Sequence, residues 1–160
     1  MSSGVGSARF GTFARVTVKR MDHVGVVVDD LPAAIEFFVQ LGLEVDGSGS
    51  VEGDWVDRIV GLEGVHSELA FVKTPDGHSR LELVKFHSPP YDGSGRDEPS
   101  NAPGIRHVTF AVDDVHATVE RLRGCGGELV GQIENYQDVY RLCYLRGPAG
   151  IIVELAERIG

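Results

Sequence analysis

The stretch "MDHVGVVVDD", residues 21–30, returns as "IRHVTFAVDD" at residues 105–114. Sliding the chain by 84 residues superposes His23 on His107, Val24 on Val108, Val28 on Val112, Asp29 on Asp113 and Asp30 on Asp114. The same shift carries Ala33, Glu36, Gly42 and Glu44 onto Ala117, Glu120, Gly126 and Glu128. Nine identities in a 25-residue window mark two copies of one supersecondary unit.

Each copy opens on a valine-rich run, "HVGVVV" or "HVTFAV", whose length and β-branching predict a strand covered on both faces. A helix follows. In the first copy Asp30 suits the N-cap and Pro32 the first turn; Ala34, Phe37, Phe38 and Leu41 share one face, and Gly42 ends the helix. In the second, Asp114 caps, Val115, Thr118, Val119 and Leu122 repeat the stripe, and Gly124, Gly126 and Gly127 break it. Capping accounts for the paired aspartates without a catalytic role. Strand-like segments then surround turns: "SELAFVKT", "PDGH" and "SRLELVKF" in one copy, "YRLCYL", "RGPAG" and "IIVELAE" in the other. Each unit therefore reads β–α–β–β–β, an α+β class, and neither could cover its sheet alone, so the two pack as one domain. The domain is set at 19–157: a module at 19–87, a Pro/Gly/Ser-rich linker at 88–104 and a module at 105–157. Residues 1–18, which carry Arg9 and Arg15 but no acid, read as an upstream extension without order of its own.

With 42% hydrophobic and 24% charged residues, the 160-residue chain has the composition of a soluble globular domain. Its net charge of −9 argues against nucleic acid or an anionic membrane as partner. No apolar run approaches the roughly 20 residues of a membrane helix, and none is organised as a signal peptide. Cys125 and Cys143 have no CxxC spacing and read as reduced residues of a cytoplasmic protein. No dinucleotide fingerprint, Walker loop or nucleophile elbow is present.

The last strands also correspond, "LEL" at 81–83 with "VEL" at 153–155, so Glu82 matches Glu154. Their separation of 72 residues, against 84 for the histidines, leaves twelve extra residues in the first copy, between about Gly47 and Glu68. An ionised carboxylate between apolar strand neighbours needs a partner, and a divalent metal supplies one. Two imidazoles and two carboxylates, His23, Glu82, His107 and Glu154, suit Zn²⁺, Ni²⁺, Co²⁺, Mn²⁺ or Fe²⁺ with water in the open positions; the lack of thiolate argues against a closed structural zinc site. Any one of the four alone would read as a solvated side chain. Within the insertion, "GDWVDRIVGL" offers Trp55, Val56 and Ile59 as a pocket wall with Arg58 at its rim, or simply an amphipathic turn over the sheet. Arg80, Lys85 and Arg141 are candidate anchors for an anionic group. His66, His78, His87 and His116 read as solvent or pocket-rim residues.

From about Lys19 to Ala156 the chain resembles the vicinal oxygen chelate superfamily, which includes glyoxalase I, methylmalonyl-CoA epimerase, extradiol dioxygenases and bleomycin- or fosfomycin-resistance proteins. "DHVGVVVDDLPAAIEFF", "RLELVKF", "IRHVTFAVDD" and "YLRGPAGIIVEL" carry the resemblance. It implies two βαβββ modules forming a cupped mixed sheet with helices outside, and one divalent metal ion at His23, Glu82, His107 and Glu154. "RGPAG" departs from the common "DPDG" form, with Gly147 where an acid usually sits. The four-ligand set favours a metal-dependent glyoxalase I-like lyase or isomerase that transfers a proton next to a carbonyl of a thiol-derived small molecule, Glu82 or Glu154 being the base. Methylmalonyl-CoA epimerase-like racemisation ranks second, because overall acidity weakens the case for a coenzyme A thioester. A dioxygenase or an antibiotic-binding resistance protein are the remaining alternatives. The implied partners are a small-molecule substrate and a second copy of the chain in a homodimer.

Overall fold

The computed structural model describes residues 18–91, 93 and 97–160, so the extension at 1–18 lies, Val18 apart, outside the described residues. The first module runs β1 (Val24–Val27), α1 (Leu31–Leu41), β2 (Glu44–Glu52), α2 (Asp54–Val60), β3 (His66–Lys73) and β4 (Arg80–Ser88). The second runs β5 (His107–Ala111), α3 (Val115–Arg123), β6 (Glu128–Leu129), β7 (Glu134–Tyr136), β8 (Tyr140–Arg146), a 3-10 turn at Pro148–Gly150 and β9 (Ile152–Arg158). Sheet order is β1-β4-β3-β2 in one module and β5-β9-β8-β6 in the other, with β7 also paired to β8. In both, the first strand lies parallel to the last and the other pairings are antiparallel. The surface expected as one cupped sheet thus consists, among the described residues, of two mixed sheets. A groove lined by Val24–Val27 and Ile105–Val108 lies between their first strands.

Local chemistry fixes the helices. The Asp30 carboxylate accepts from Ala33 N at 3.0 Å and that of Asp114 from Ala117 N at 2.9 Å. Gly42 ends α1 at φ 117°, a left-handed conformation that favours glycine, and its N–H reaches the Phe38 and Val39 carbonyls. Both apolar stripes are buried in full. They join Ala70, Val72, Leu81 and Leu83 of the first sheet and Cys143, Leu145, Val153 and Leu155 of the second in one continuous core.

The modules interlock through α1. Phe38 lies 6.5 Å from Phe110, and Arg121 donates to the Gln40 carbonyl at 2.6 Å. A Cβ at Gly147 would fall 2.7 Å from the Phe37 ring. That close approach gives a physical reason for glycine where the resembling turns carry an acid.

Two elements are given no bounds by the sequence reading. β2, "EVDGSGSVE", is a nine-residue strand exposed along nearly its whole length, paired only with β3 at the sheet edge. α2 fills the insertion as a helix; the second module has the short strands β6 and β7 after α3 instead.

Gly147→Ala should destabilise the protein by about 1–3 kcal/mol, the usual effect of forcing atoms into a packed core. A chemical denaturation midpoint measures it, and Gly147→Ala combined with Phe37→Leu should recover part of the loss.

Candidate metal and proton-transfer site

Strand alternation builds the site. Leu81 and Leu83 turn into the core, so Glu82 between them turns to the opposite face of the first sheet, where β1 sets Gly25 beside it in register. His23 immediately precedes β1, and its Nε2 lies 3.4 Å from Glu82 Oε2. The second sheet repeats this: Val153 and Leu155 are buried, Glu154 faces away, and His107 Nε2 lies 3.5 Å from Glu154 Oε2.

The outer nitrogen of each ring is also engaged. His23 Nδ1 is 2.9 Å from Asp22 Oδ2, and Asp22 also accepts from Arg80 at 2.7 Å and Arg20 at 2.6 Å. The His23 hydrogen bond first, then Arg80, hold the Asp22 carboxyl far below the usual carboxylate range. An ionised Asp22 can only accept, so the His23 nitrogen facing it is the donor and Nε2 is the nitrogen turned to a carboxylate oxygen. A proton on Nε2 or a cation between the two atoms would each satisfy that contact. Two ligands each about 2.0–2.2 Å from one divalent ion lie about 3.0–3.5 Å apart, which is the spacing of both pairs. The carboxylate behind the imidazole is the usual orienting partner of a metal-binding histidine.

The pairs differ in their surroundings. His107 Nδ1 is 3.3 Å from the Tyr144 hydroxyl, and Glu154 Oε2 accepts from Thr109 at 2.7 Å. Gly25, the repeat counterpart of Thr109, has no side chain; even a Cβ there would stand 3.9 Å from Glu82 Oε2. Glu82 therefore opens toward a groove of about 380 Å³ that Trp55, Val56 and Ile59 help to line.

The four expected ligands are thus two His–Glu half-sets, and among the described residues no group of three or more His, Cys, Asp or Glu side chains meets closely enough to hold an ion. The donor types fit a divalent ion, which would take His23 and Glu82 from one half-set and His107 and Glu154 from the other. Two of the candidate anion anchors are engaged elsewhere. The Arg80 guanidinium lies 5.0 Å from the Phe71 ring centroid and pairs with Asp22; Arg141 Nη1 is 3.1 Å from both Glu157 oxygens. His66 stacks on His87, whose Nε2 is 3.0 Å from Glu68, on the other side of the strand alternation from Glu82. Sequence reasoning missed Asp22, Thr109 and Tyr144. Asp22 has Arg106 as its repeat counterpart, and Tyr144 meets Glu154 only through the β8–β9 register.

The family model of the Glyoxalase/Bleomycin resistance protein/Dioxygenase superfamily matches residues 20–155. A glyoxalase family protein of Bacillus cereus, known as a crystal structure, is 45% identical and superposes with a TM-score of 0.88, covering 92% of this chain and 99% of that one. An ethylmalonyl-CoA/methylmalonyl-CoA epimerase of Cereibacter sphaeroides is 31% identical over 121 residues, 73% of this chain and 78% of its own. A 2-epi-5-epi-valiolone epimerase of an Actinomyces species is 29% identical over 142 residues, 83% of this chain and 76% of its own.

Asp22→Asn, which keeps the shape but not the charge behind His23, should weaken divalent-metal binding about 10- to 100-fold. Competition with a chromogenic chelator measures this, and the circular dichroism spectrum should not change.

Proposed function

This chain belongs to the glyoxalase/bleomycin resistance protein/dioxygenase superfamily, and from that premise we propose that it is a metal-dependent lyase or isomerase that moves a proton at a carbon next to a carbonyl. One observation supports this above the others: each imidazole presents Nε2 to a carboxylate at ligand spacing, twice, at repeat-related positions. A divalent ion bound there supplies a Lewis acid that polarises a substrate oxygen and acidifies the neighbouring C–H bond. Glu82 is the base. Its carboxylate adjoins the open groove, whereas Glu154 is held by the Thr109 hydroxyl and serves as ligand. A positioned carboxylate typically contributes about 10²–10⁴-fold to such a transfer.

Glyoxalase I-like rearrangement of a thiol-derived substrate and epimerisation share this first step. They differ in where the proton returns, to the neighbouring carbon or to the other face of the same one. The two epimerase relatives favour epimerisation as the second reading. The two half-sets support a homodimer in which His23 and Glu82 of one copy meet His107 and Glu154 of another. Cys125 and Cys143 are both free thiols, which suits the reducing cytoplasm. No helix among the described residues is long and apolar enough to cross a membrane.

Solvent deuterium should enter the carbon next to the carbonyl in hemithioacetals or in 2-methyl acyl thioesters when metal-loaded protein is added. Glu82→Gln should slow exchange about 10²–10⁴-fold at metal concentrations that saturate the site, while Glu154→Gln should mainly weaken metal binding. Tight binding of an antibiotic that is returned unchanged, with no exchange in any candidate, would replace this reading with a resistance protein. For the dimer, His23→Ala and His107→Ala are each inactive alone, but a mixture re-equilibrated through dissociation should regain about a quarter of wild-type activity, since half the dimers are mixed and each then carries one intact site. No recovery on mixing would place each site within one chain.

A further inference from the structure

α2 breaks the symmetry between the modules, and its packing is unusual for a short surface helix. Val56 alone is buried against the sheet, at 6% exposure. Trp55 at 52%, Ile59 at 73% and Val60 at 42% leave large apolar side chains in the open. The helix is nonetheless held firmly. Its Asp57 carboxylate accepts from Gly64 N and Val65 N, each at 2.8 Å, which ties the following loop back onto it. The groove beneath is walled by Trp55 and Ile59 on one side and floored by Val27, Leu69, Val84 and Phe86. Among its described lining residues the sole ionisable side chain is Glu82. No Lys, Arg or His side chain is among the described lining residues, so an anionic group held in the groove away from the Glu82 end would be desolvated without a partner.

We propose that this groove is a specificity pocket for an uncharged hydrocarbon arm of the substrate, an alkyl or aryl group attached to the carbonyl whose neighbouring carbon Glu82 deprotonates. The assignment of Glu82 rests on the function proposed above; the chemistry of the groove does not. Phosphate- or carboxylate-bearing parts of a substrate stay outside, and the Asp57 tether keeps the wall in place before the substrate arrives.

Trp55 is the only tryptophan of the chain, so its emission reports on the groove directly. Metal-loaded full-length protein is titrated with neutral straight-chain 2-alkanones of four to ten carbons, with acetophenone, and with ω-carboxylated 2-alkanones of matched length. The dissociation constant should fall about three- to fourfold per added methylene until the groove is full, with a shift in Trp55 emission, and an ω-carboxylate should reverse the gain. Ile59→Asp, at an exposed position where the fold is not at risk, should weaken the long ketones at least tenfold, and Ile59→Leu should restore them. Binding independent of chain length, unresponsive Trp55 emission, or tighter binding of the carboxylates would overturn the proposal. So would an Ile59→Asp protein that dissociates to monomer while the wild type ignores ketones, because the wall would then be a contact between copies. Ketones do not need to react to be bound. Length-dependent binding without deuterium exchange would fail the function and keep the groove; exchange with length-independent binding would do the reverse.

Discussion

Parallel pairing of the first and last strand of each module is the constraint from which the molecule is built. Pairing β1 with β4 and β5 with β9 aligns two alternating strands, so alternate residues, Val24, Val26, Leu81 and Leu83 in one pair and Val153 and Leu155 in the other, turn to the core while Glu82 and Glu154 take the other face. On that other face the arrangement places a histidine and a glutamate side by side twice. A slip of one residue in either ladder would send Glu82 or Glu154 into the core and Leu83 or Leu155 to solvent, so register is specified by many buried side chains at once. The geometry of the polar pairs is thereby fixed by apolar residues on the opposite face of each sheet.

Equivalence ends at the open face. Where the second module has Thr109 to hold Glu154, the first has Gly25; where the second has Arg106, the first has Asp22 behind its histidine. The side chains that differ are those a substrate would meet, while the caps and stripes that keep the helices in place are the same in kind. α2 enlarges the difference by walling the open face of one module only.

What could be read from the sequence was what depends on near neighbours. Asp30 and Asp114 announce their helices because capping acts within three residues, and the Phe37–Phe38 stripe does so because burial follows the helical period. β2 gave no such signal: an exposed edge strand with Gly47 and Gly49 has neither alternation nor bulk, and its pairing with β3 is decided by the partner. α2 buries only Val56, too little to leave a period. Repeat arithmetic matched His23 to His107 and Glu82 to Glu154, yet how far apart the two His–Glu pairs stand depends on how the modules pack, and no sequence spacing encodes that. Asp22 is hidden for a related reason, since its repeat counterpart is Arg106 and the repeat carries no sign of it.

The continuous core that joins both modules lies on the side of each sheet away from the polar pairs, and this bears on how the chain could change over evolutionary time. Residues that secure the fold and residues that would select a ligand form nearly disjoint sets, so exchanges on the exposed face fall where substitutions usually alter stability by no more than about 0.5 kcal/mol. One half can then acquire a new wall or lose a hydroxyl while the shared interior holds both halves together. Such a scaffold is permissive: ligand preference can drift without passing through unfolded intermediates, and the module lacking the helix is itself a vacant position for the next insertion.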